Sequence, residues 1–462
     1  MRVSPFKEIY MKILIVGCGK VGTAMLDSLI KEGHDVVVID NDETAIRELT
    51  NVYDAMCVCG NGADSDTLKE AGAKDCDLFA AVTHSDELNM LACFLAKKMG
   101  AKNTIARIRN PEYNDKSLSF MRQQLELSVS INPELLAARE LFNRLRMPGA
   151  VNIETFSGKS LEMIELLLKE SSPLVNHSLS QLRQKYKENF LICIVRRGDE
   201  VYIPDGNFVL QVGDHIAMTA APSQGQKLFK TLGLLKKQSR NVMILGASRT
   251  AFYLSRMLLS MGAAVTVIEK NHKRCKEFSE ILPEAVVIEG DGADQEVLLE
   301  EGLGSMDALV ALTGLDEENI LVSLFASTQN VGQVISKINR PALSSLAKKI
   351  GLDNIISPRK IISNYLCRYA RALENSKGSE METLYKLMDE KAEALEFIVR
   401  GGFKWLDIPL KDLSLKSNTL IAGIIRGRKT IIPSGDDRIL SGDHVIVIAK
   451  GHRVSTLTDI FK

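Results

Sequence analysis

Lys12-Ile-Leu-Ile-Val-Gly17-Cys18-Gly19-Lys20-Val21-Gly22 is a strand-sized apolar run, broken by glycines at fixed spacing and continued by a helix-forming stretch. Gly17 permits a tight turn, Gly19 removes a Cβ from the path of a pyrophosphate, and Gly22 lets the following helix pack closely on the sheet. The helix N-terminus would then stabilise the phosphate charge. A second apolar run, Asp35–Ile39, closes on Asp40 at the distance expected of a ribose-binding acid. Asp40 can accept hydrogen bonds from an adenosine ribose and would repel a 2′-phosphate, which favours NAD(H) over NADP(H). Lys20 at the helix start opposes the macrodipole, a poor place for a structural lysine and a useful one beside a phosphate.

Outward from this stretch, short apolar runs alternate with amphipathic ones. Strands are expected at Ala55–Cys59, Leu78–Val82, Thr104–Ile108 and Leu127–Ile131, with a helix over Glu87–Lys98. That alternation predicts a doubly wound parallel sheet with ligand at the carboxyl ends of its strands.

The whole pattern then repeats. Val242-Met-Ile-Leu-Gly246 echoes the first strand and turn, and Glu269 stands where Asp40 stood. Gly60-Asn-Gly-Ala-Asp64 becomes Gly290-Asp-Gly-Ala-Asp294, and Thr83-His-Ser-Asp-Glu-Leu-Asn89 becomes Thr313-Gly-Leu-Asp-Glu-Glu-Asn319. Thr83 to Thr313 and Pro111 to Pro341 lie at the same interval. Later, Ile203-Pro-Asp-Gly206 with Gly213-Asp-His215 returns as Ile432-Pro-Ser-Gly435 with Gly442-Asp-His444. The fold class is therefore α/β: two Rossmann-like doubly wound parallel-sheet domains, each followed by a small, β-rich α+β domain. The boundaries expected are 11–147, 148–234, 240–378 and 379–462. The charged, helix-prone stretch from Pro358 through Lys391 reads as the link between the last two units.

Other candidate residues also fall at strand carboxyl ends. Asn61 follows the third strand and reads as a ligand contact or an αL turn residue. Thr83 lines the site or caps the helix opened by Asp86 and Glu87. His84 lines it or is incidental. Arg107 reaches phosphates or an acid of another subunit, or forms a surface ion pair. The second loop, Gly246-Ala247-Ser248-Arg249-Thr250-Ala251, puts Ser and Ala in place of two glycines. Ser248 adds atoms where close approach is needed, although its hydroxyl can donate to a phosphate. Weaker binding, a different nucleotide and a pure scaffold all fit this loop. Glu269 and Arg249, which keep the acid and the cation, tilt the reading towards binding.

Composition narrows the function classes. Lys+Arg and Asp+Glu are both 58 in 462 residues, so no net charge argues for nucleic acid or an anionic membrane. No apolar run approaches the roughly 20 residues of a membrane span. Met1–Tyr10 reads as an extension without a signal-type apolar region. Eight scattered cysteines suit a reducing compartment. Cys57 and Cys59 share a strand face, are expected to be buried fillers, and lack a second pair at metal-ligand spacing. His215 and His444 read as structural, since no orienting acid accompanies them in sequence.

The N–C–N–C order, GCGKVG with Asp40, the GNGAD turn, THSDELN and ARIRNPEY together resemble the TrkA family of potassium-uptake regulators, which are tandem RCK proteins. The resemblance covers Met11 to the C-terminus. It implies a non-enzymatic, cytoplasmic, peripheral protein, a homotetramer whose eight RCK units form a ring beneath a membrane-embedded Trk-type potassium transporter. It implies binding of NAD(H), with ADP or ATP entering related sites, and gating of ion flux by nucleotide occupancy. Carried over by position, the first-half ligand residues are Gly17, Cys18, Gly19, Lys20, Val21, Asp40, Asn61, Thr83, His84 and Arg107. In the second half they are Gly246, Ala247, Ser248, Arg249, Thr250, Glu269, Asp291 and Thr313. Two competing classes are an NAD-dependent dehydrogenase and a redox-sensing transcription factor. The first needs a substrate domain where this chain carries a second copy. The second lacks a helix-turn-helix segment.

Overall fold

The computed structural model describes residues 11–462 apart from 111–112, 114, 147–149, 157–159, 187–189, 223–230, 232–238, 377–380, 389–390, 453 and 455. The expected extension at Met1–Tyr10 and the expected boundaries at 147/148, 234 and 378/379 lie outside the described residues.

In the first half, β1 (Lys12–Val16), β2 (Asp35–Asp40), β3 (Met56–Cys59), β4 (Leu78–Ala81), β5 (Asn103–Arg107) and β6 (Val129–Ile131) form one parallel sheet ordered β3-β2-β1-β4-β5-β6. The strand order reverses between β1 and β4, the point where such sheets open a ligand crevice. Helices α1 (Lys20–Lys31), α2 (Glu43–Val52), α3 (Ser65–Glu70), α4 (Asp86–Met99), α5 (Asp115–Gln124) and α6 (Pro133–Arg146) make the connections. Ile13, Leu14, Ile15 and Val16 are all at most 2% exposed, which is why β1 is a continuous apolar run. Burying each such side chain stabilises the fold by about 1.5–3 kcal/mol.

A small antiparallel sheet follows, built from β7 (Ala150–Phe156), β8 (Leu161–Leu167), β9 (Phe190–Arg197), β10 (Glu200–Tyr202) and β11 (His215–Ala220), with α7 (Leu179–Lys185) between β8 and β9. The second parallel sheet consists of β12 (Asn241–Leu245), β13 (Ala264–Glu269), β14 (Val286–Glu289), β15 (Ala308–Ala311), β16 (Gln333–Lys337) and β17 (Ile355–Ile356), in the same order as the first. Its helices are α8 (Arg249–Ser260), α9 (His272–Ile281), α10 (Gln295–Glu300), α11 (Asp316–Thr328), α12 (Pro341–Lys349) and α13 (Pro358–Ser376). The chain ends in a second antiparallel sheet, β18 (Met381–Leu387), β19 (Ala392–Ile398), β20 (Thr419–Arg426), β21 (Lys429–Ile431) and β22 (His444–Ala449). The helix-prone stretch from Pro358 to Lys391 is thus helical only to Ser376, and its last part enters the sheet as β18.

The structure divides into two compact units, residues 1–138 with 357–370, and residues 139–356 with 371–462. The division cuts through α6 and α13, so each parallel sheet is served by a helix from the other half. In the first unit, Ser363 of α13 donates to the Ala24 carbonyl at 3.3 Å and pairs with the Ser28 hydroxyl of α1. In the second, Arg144 of α6 donates to Asn354 Oδ1 at 2.9 Å and to the Ile355 carbonyl at 3.0 Å. Sequence periodicity is blind to such an exchange, because it fixes which face of a helix is apolar and not which sheet that face meets.

The two small sheets lie face to face within the second unit. Phe156, Leu161, Met163 and Ile194 from one pack with Ala394, Ala422, Ile446 and Ile448 from the other. Thr219 Oγ1 donates to the Ala422 carbonyl at 2.7 Å, and Tyr385 Oη to the Thr155 carbonyl at 2.6 Å. The repeated Gly-Asp-His turns have a structural cause. Buried Asp214 and Asp443 accept paired guanidinium bonds from Arg197 and Arg426, all at 2.8 Å. His444 does have an acid beside it, contrary to the reading from sequence. Its Nδ1 lies 3.0 Å from Oε1 of buried Glu396, forty-eight residues away in sequence.

Candidate nucleotide site

Gly17 leaves β1 with φ +105°, a conformation open to glycine and costly for other residues. Its N–H donates to the Ile39 carbonyl at 2.8 Å, which aligns the loop with the end of β2. A Cβ at Gly22 would stand 1.8 Å from the Gly17 carbonyl oxygen, so the third glycine is required by the closeness of α1 to the loop. Gly19 differs from both. It is the N-cap of α1 with φ −63°, makes no side-chain cap, and a Cβ there would meet nothing within 4 Å. Protein packing does not demand this glycine, and the space beyond it is open. The uncapped N–H groups of the first turn, at Val21 and Gly22, follow directly. A cradle that a Cβ would fill, at a helix N-terminus, suits a pyrophosphate.

Asp40 ends β2 half-buried beside this cradle. Its Oδ2 accepts from the Cys18 N–H and its Oδ1 from the Asp42 N–H at 3.0 Å. The carboxylate therefore ties the glycine loop to the turn entering α2, and its remaining lone pairs are what a ribose would engage. Burial, then the Asp40 charge, pushes the Cys18 thiol well above its ordinary range, which keeps it neutral. Lys20 and His84 are exposed at the rim. Cys57 is half-buried and Cys59 exposed at the free edge of the sheet, so these two are not the buried fillers expected.

Two roles differ from expectation. Asn61 is not an αL residue; its Oδ1 accepts from the Ala63 N–H at 3.0 Å, as Asp291 accepts from Ala293 at 2.9 Å. The α4 cap is Ser85, accepting from the Leu88 N–H, and not Thr83. Thr83 is held instead by Asn89, which accepts from its N–H at 2.8 Å and its hydroxyl at 2.7 Å. Arg107 Nη1 donates to the Val82 and Thr83 carbonyls at 3.3 and 3.2 Å. These carbonyls adjoin Gly17, so the guanidinium stands at the strand-order reversal.

Sequence reading passed over Asn89 and Asp86. Fully buried Asn89 also donates to the Arg107 carbonyl at 2.9 Å, joining the ends of β4 and β5. Asp86 Oδ2 accepts from the Arg109 and Asn110 N–H groups at 2.8 and 2.7 Å. Asn319 and Asp316 repeat both arrangements. Their signal was present in the repeated THSDELN segment, where polar residues sit on the inward face of a helix.

The second half keeps the plan and closes it. Gly246 has φ +94° and donates to the Ile268 carbonyl at 2.8 Å. Ser248 caps α8: its Oγ accepts from the Ala251 N–H at 3.2 Å, and its N–H donates to the Gly246 carbonyl at 2.9 Å. Ala251, fully buried, takes the place of Gly22, and its N–H is held by that cap. One first-turn donor is thereby consumed, and the hydroxyl expected to serve as a phosphate donor is engaged first as a cap. Glu269 is 7% exposed, with Oε2 accepting from Ala247 and Oε1 from Asn271 at 2.8 and 2.9 Å. Arg249 is exposed and Thr250 buried, while Thr313 is held by Asn319. Lys337, the counterpart of Arg107, donates to the Leu312 carbonyl at 3.1 Å. Among the described residues no cluster of His, Cys, Asp and Glu has the arrangement of a metal site. Among the described residues no helix is long and apolar enough to cross a membrane.

Comparison with known proteins gives a consistent result. The TrkA-N domain family matches residues 13–122 and 242–358, and the TrkA-C domain family matches 163–233 and 395–462. A Trk system potassium uptake protein TrkA homolog of Archaeoglobus fulgidus is 32% identical over 452 residues, covering 98% of this chain and 100% of the relative. The crystal structure of the GsuK RCK domain superposes with a TM-score of 0.65 at 17% identity, over 97% of this chain and 95% of that one. The GsuK channel bound to NAD superposes with a TM-score of 0.63 at 15% identity, over 96% and 78%. With tandem TrkA-N and TrkA-C regions along its length and a full-length relative at this identity, the chain belongs to the TrkA family of Trk system potassium uptake proteins.

Proposed function

We propose that this chain is a cytoplasmic, nucleotide-sensing regulatory subunit of a Trk-type potassium uptake system, held at the membrane by its transporter partner. The chain carries four units, 11–147, 148–234, 240–378 and 379–462, and assembles as a homotetramer. The first Rossmann-like unit takes NAD(H), and ADP or ATP enters related sites. The observation that carries this reading is the open cradle at Gly19, uncapped and flanked by Asp40. Membership of the TrkA family and a fold shared with the NAD-bound GsuK channel support it.

Bound NAD(H) would supply a charged, shape-specific ligand, and no chemical step on it is required. Val21 and Gly22 N–H groups would receive the pyrophosphate, and Asp40 the ribose. Occupancy shifts the assembly only as far as the ligand prefers one conformation over the other. Potassium flux through the membrane partner, reconstituted with wild-type chain, should respond to NADH or ATP. With Gly19→Ala the response to NADH should need roughly tenfold to hundredfold more NADH. A flux that ignores nucleotide with the wild-type chain, or an NADH dependence unchanged in Gly19→Ala, overturns the proposal.

A further inference from the structure

The geometry points to a second nucleotide site of opposite charge preference: the crevice of the second parallel sheet selects an adenine nucleotide carrying a phosphate on its adenosine ribose, as in NADP(H). This inference rests on the nucleotide-sensing reading and deepens it by naming the ligand class of the second site.

The two halves differ most in the turn that follows the ribose-side acid. In the first half it reads Asp40-Asn-Asp42-Glu43-Thr-Ala45, and in the second Glu269-Lys270-Asn271-His272-Lys273-Arg274. The two turns are the same structure. The Gly60 and Gly290 N–H groups donate to the Asp40 and Glu269 carbonyls at 2.9 and 3.0 Å. The Asp42 and Asn271 N–H groups donate to the preceding acid at 3.0 and 2.9 Å. On this common backbone the formal charge changes from −3 to +2, with His272 counted as neutral.

The replacement at the helix cap shows where the two turns part company. Asp42 caps α2 by accepting from the Thr44 N–H at 2.9 Å, and Asn271 caps α9 by accepting from the Arg274 N–H at 3.0 Å. A cap needs only an oxygen acceptor, so the exchange preserves the helix while removing a negative charge. Lys270, Lys273 and Arg274 are all exposed at the start of α9, where cations oppose the helix dipole. The acid facing the ribose is less accessible than its counterpart: Glu269 is buried where Asp40 is half-buried, although in both each oxygen holds a backbone N–H. Two acids are added nearby: Asp291 in place of Asn61, whose Oδ1 accepts from the Ala293 N–H at 2.9 Å, and Glu289 in place of Cys59, which is taken up by His272 at 2.6 Å. That contact raises the affinity of His272 for its proton. The exposed pairs Arg47–Glu43 and Lys273–Glu277 are each worth little and do not reverse the difference.

The location separates this chemistry from a phosphate chain. Polyphosphate lies at the glycine loop and α8, whereas the β13–α9 turn faces the adenosine ribose. A cationic turn there recognises a phosphate at the 2′ or 3′ position.

Binding of NADPH, NADH, adenosine 2′,5′-bisphosphate and coenzyme A should be measured calorimetrically on the full-length Gly19→Ala variant, whose first cradle is filled. NADPH and the bisphosphate should bind at least tenfold more tightly than NADH. Tighter binding of coenzyme A than of NADPH assigns the phosphate to the 3′ position and keeps the proposal. Exchanging the turn for its first-half counterpart (Lys270→Asn, Asn271→Asp, His272→Glu, Lys273→Thr, Arg274→Ala) should abolish the preference while leaving the melting temperature nearly unchanged. Equal affinities for NADPH and NADH, a preference that survives the exchange, or no nucleotide binding to Gly19→Ala overturns the inference. None of these touches the first-site reading, which fails separately if the wild-type chain shows no Gly19-dependent NADH binding.

Discussion

Replacing Gly19 by alanine separates binding from folding. The added methyl meets no protein atom within 4 Å, and φ −63° is comfortable for any residue, so no strain arises. Two small stability effects oppose each other. Alanine restricts the unfolded chain, which stabilises by about 0.4–1 kcal/mol. Alanine is also a poorer N-cap than glycine, which costs roughly 0.5–1 kcal/mol. The net change should stay within about 1 kcal/mol, a shift of no more than a few degrees in melting temperature. The ligand meets a different situation. The methyl occupies the approach to the Val21 and Gly22 N–H groups, and a phosphate oxygen kept about 1 Å further away loses a charge-assisted hydrogen bond worth roughly 1.5–3 kcal/mol. That corresponds to a tenfold to hundredfold loss of NADH affinity. Thermal unfolding and calorimetric titration on the same preparation test both halves of the argument. Gly22→Ala is the control, because its methyl would overlap the Gly17 carbonyl at 1.8 Å and should lower both stability and affinity, the former by about 1–3 kcal/mol. NADH affinity within twofold of wild type in a folded Gly19→Ala protein would refute the pyrophosphate assignment.

Four further outcomes are expected. Asp40→Ala should weaken NADH and also loosen the loop, since it frees the Cys18 and Asp42 N–H groups; Asp40→Asn, which keeps an acceptor, should weaken NADH with less loss of hydrogen-exchange protection at Cys18. Asp443→Ala strands Arg426, and because that guanidinium is 39% exposed the cost should fall to about 2–4 kcal/mol from the 3–5 of a fully buried pair, read as a drop in melting temperature. Ser336→Ala removes a buried hydroxyl that lacks a hydrogen-bond partner and installs the first half's Ala106; chemical denaturation should show a gain approaching 1–3 kcal/mol. Burial pushes the Asp316 carboxyl up, but the Arg340 and Asn339 N–H groups and side chains outweigh it and hold the group below its ordinary 3.8. Its stabilisation is therefore present above about pH 4 and should be lost as pH falls through the lower folded value, a loss that Asp316→Asn should blunt in acid unfolding curves.

Much of the architecture was legible because local chemistry specifies it. A glycine loop after a continuous apolar strand, an acid closing the next strand, and recurrence of both announced two doubly wound sheets. Side-chain partnerships were harder to read. Thr83 has the composition of a cap, yet Asn89 claims it, since a buried amide beside two strand ends needs every partner it can reach. Glu396 reaches His444 only because strand pairing brings distant segments together.

The sequence by itself determined the duplication, the Rossmann-like plan of both halves and the loss of glycines at Ser248 and Ala251, because each is written in local pattern along the chain. Tertiary structure alone decided that part of α6 packs with the second parallel sheet and part of α13 with the first, and that the small sheets share one core. It also decided that the second cradle is capped and its acid buried. Those features depend on which surface an apolar face finds and which donors remain free after packing, and neither quantity is local to the chain.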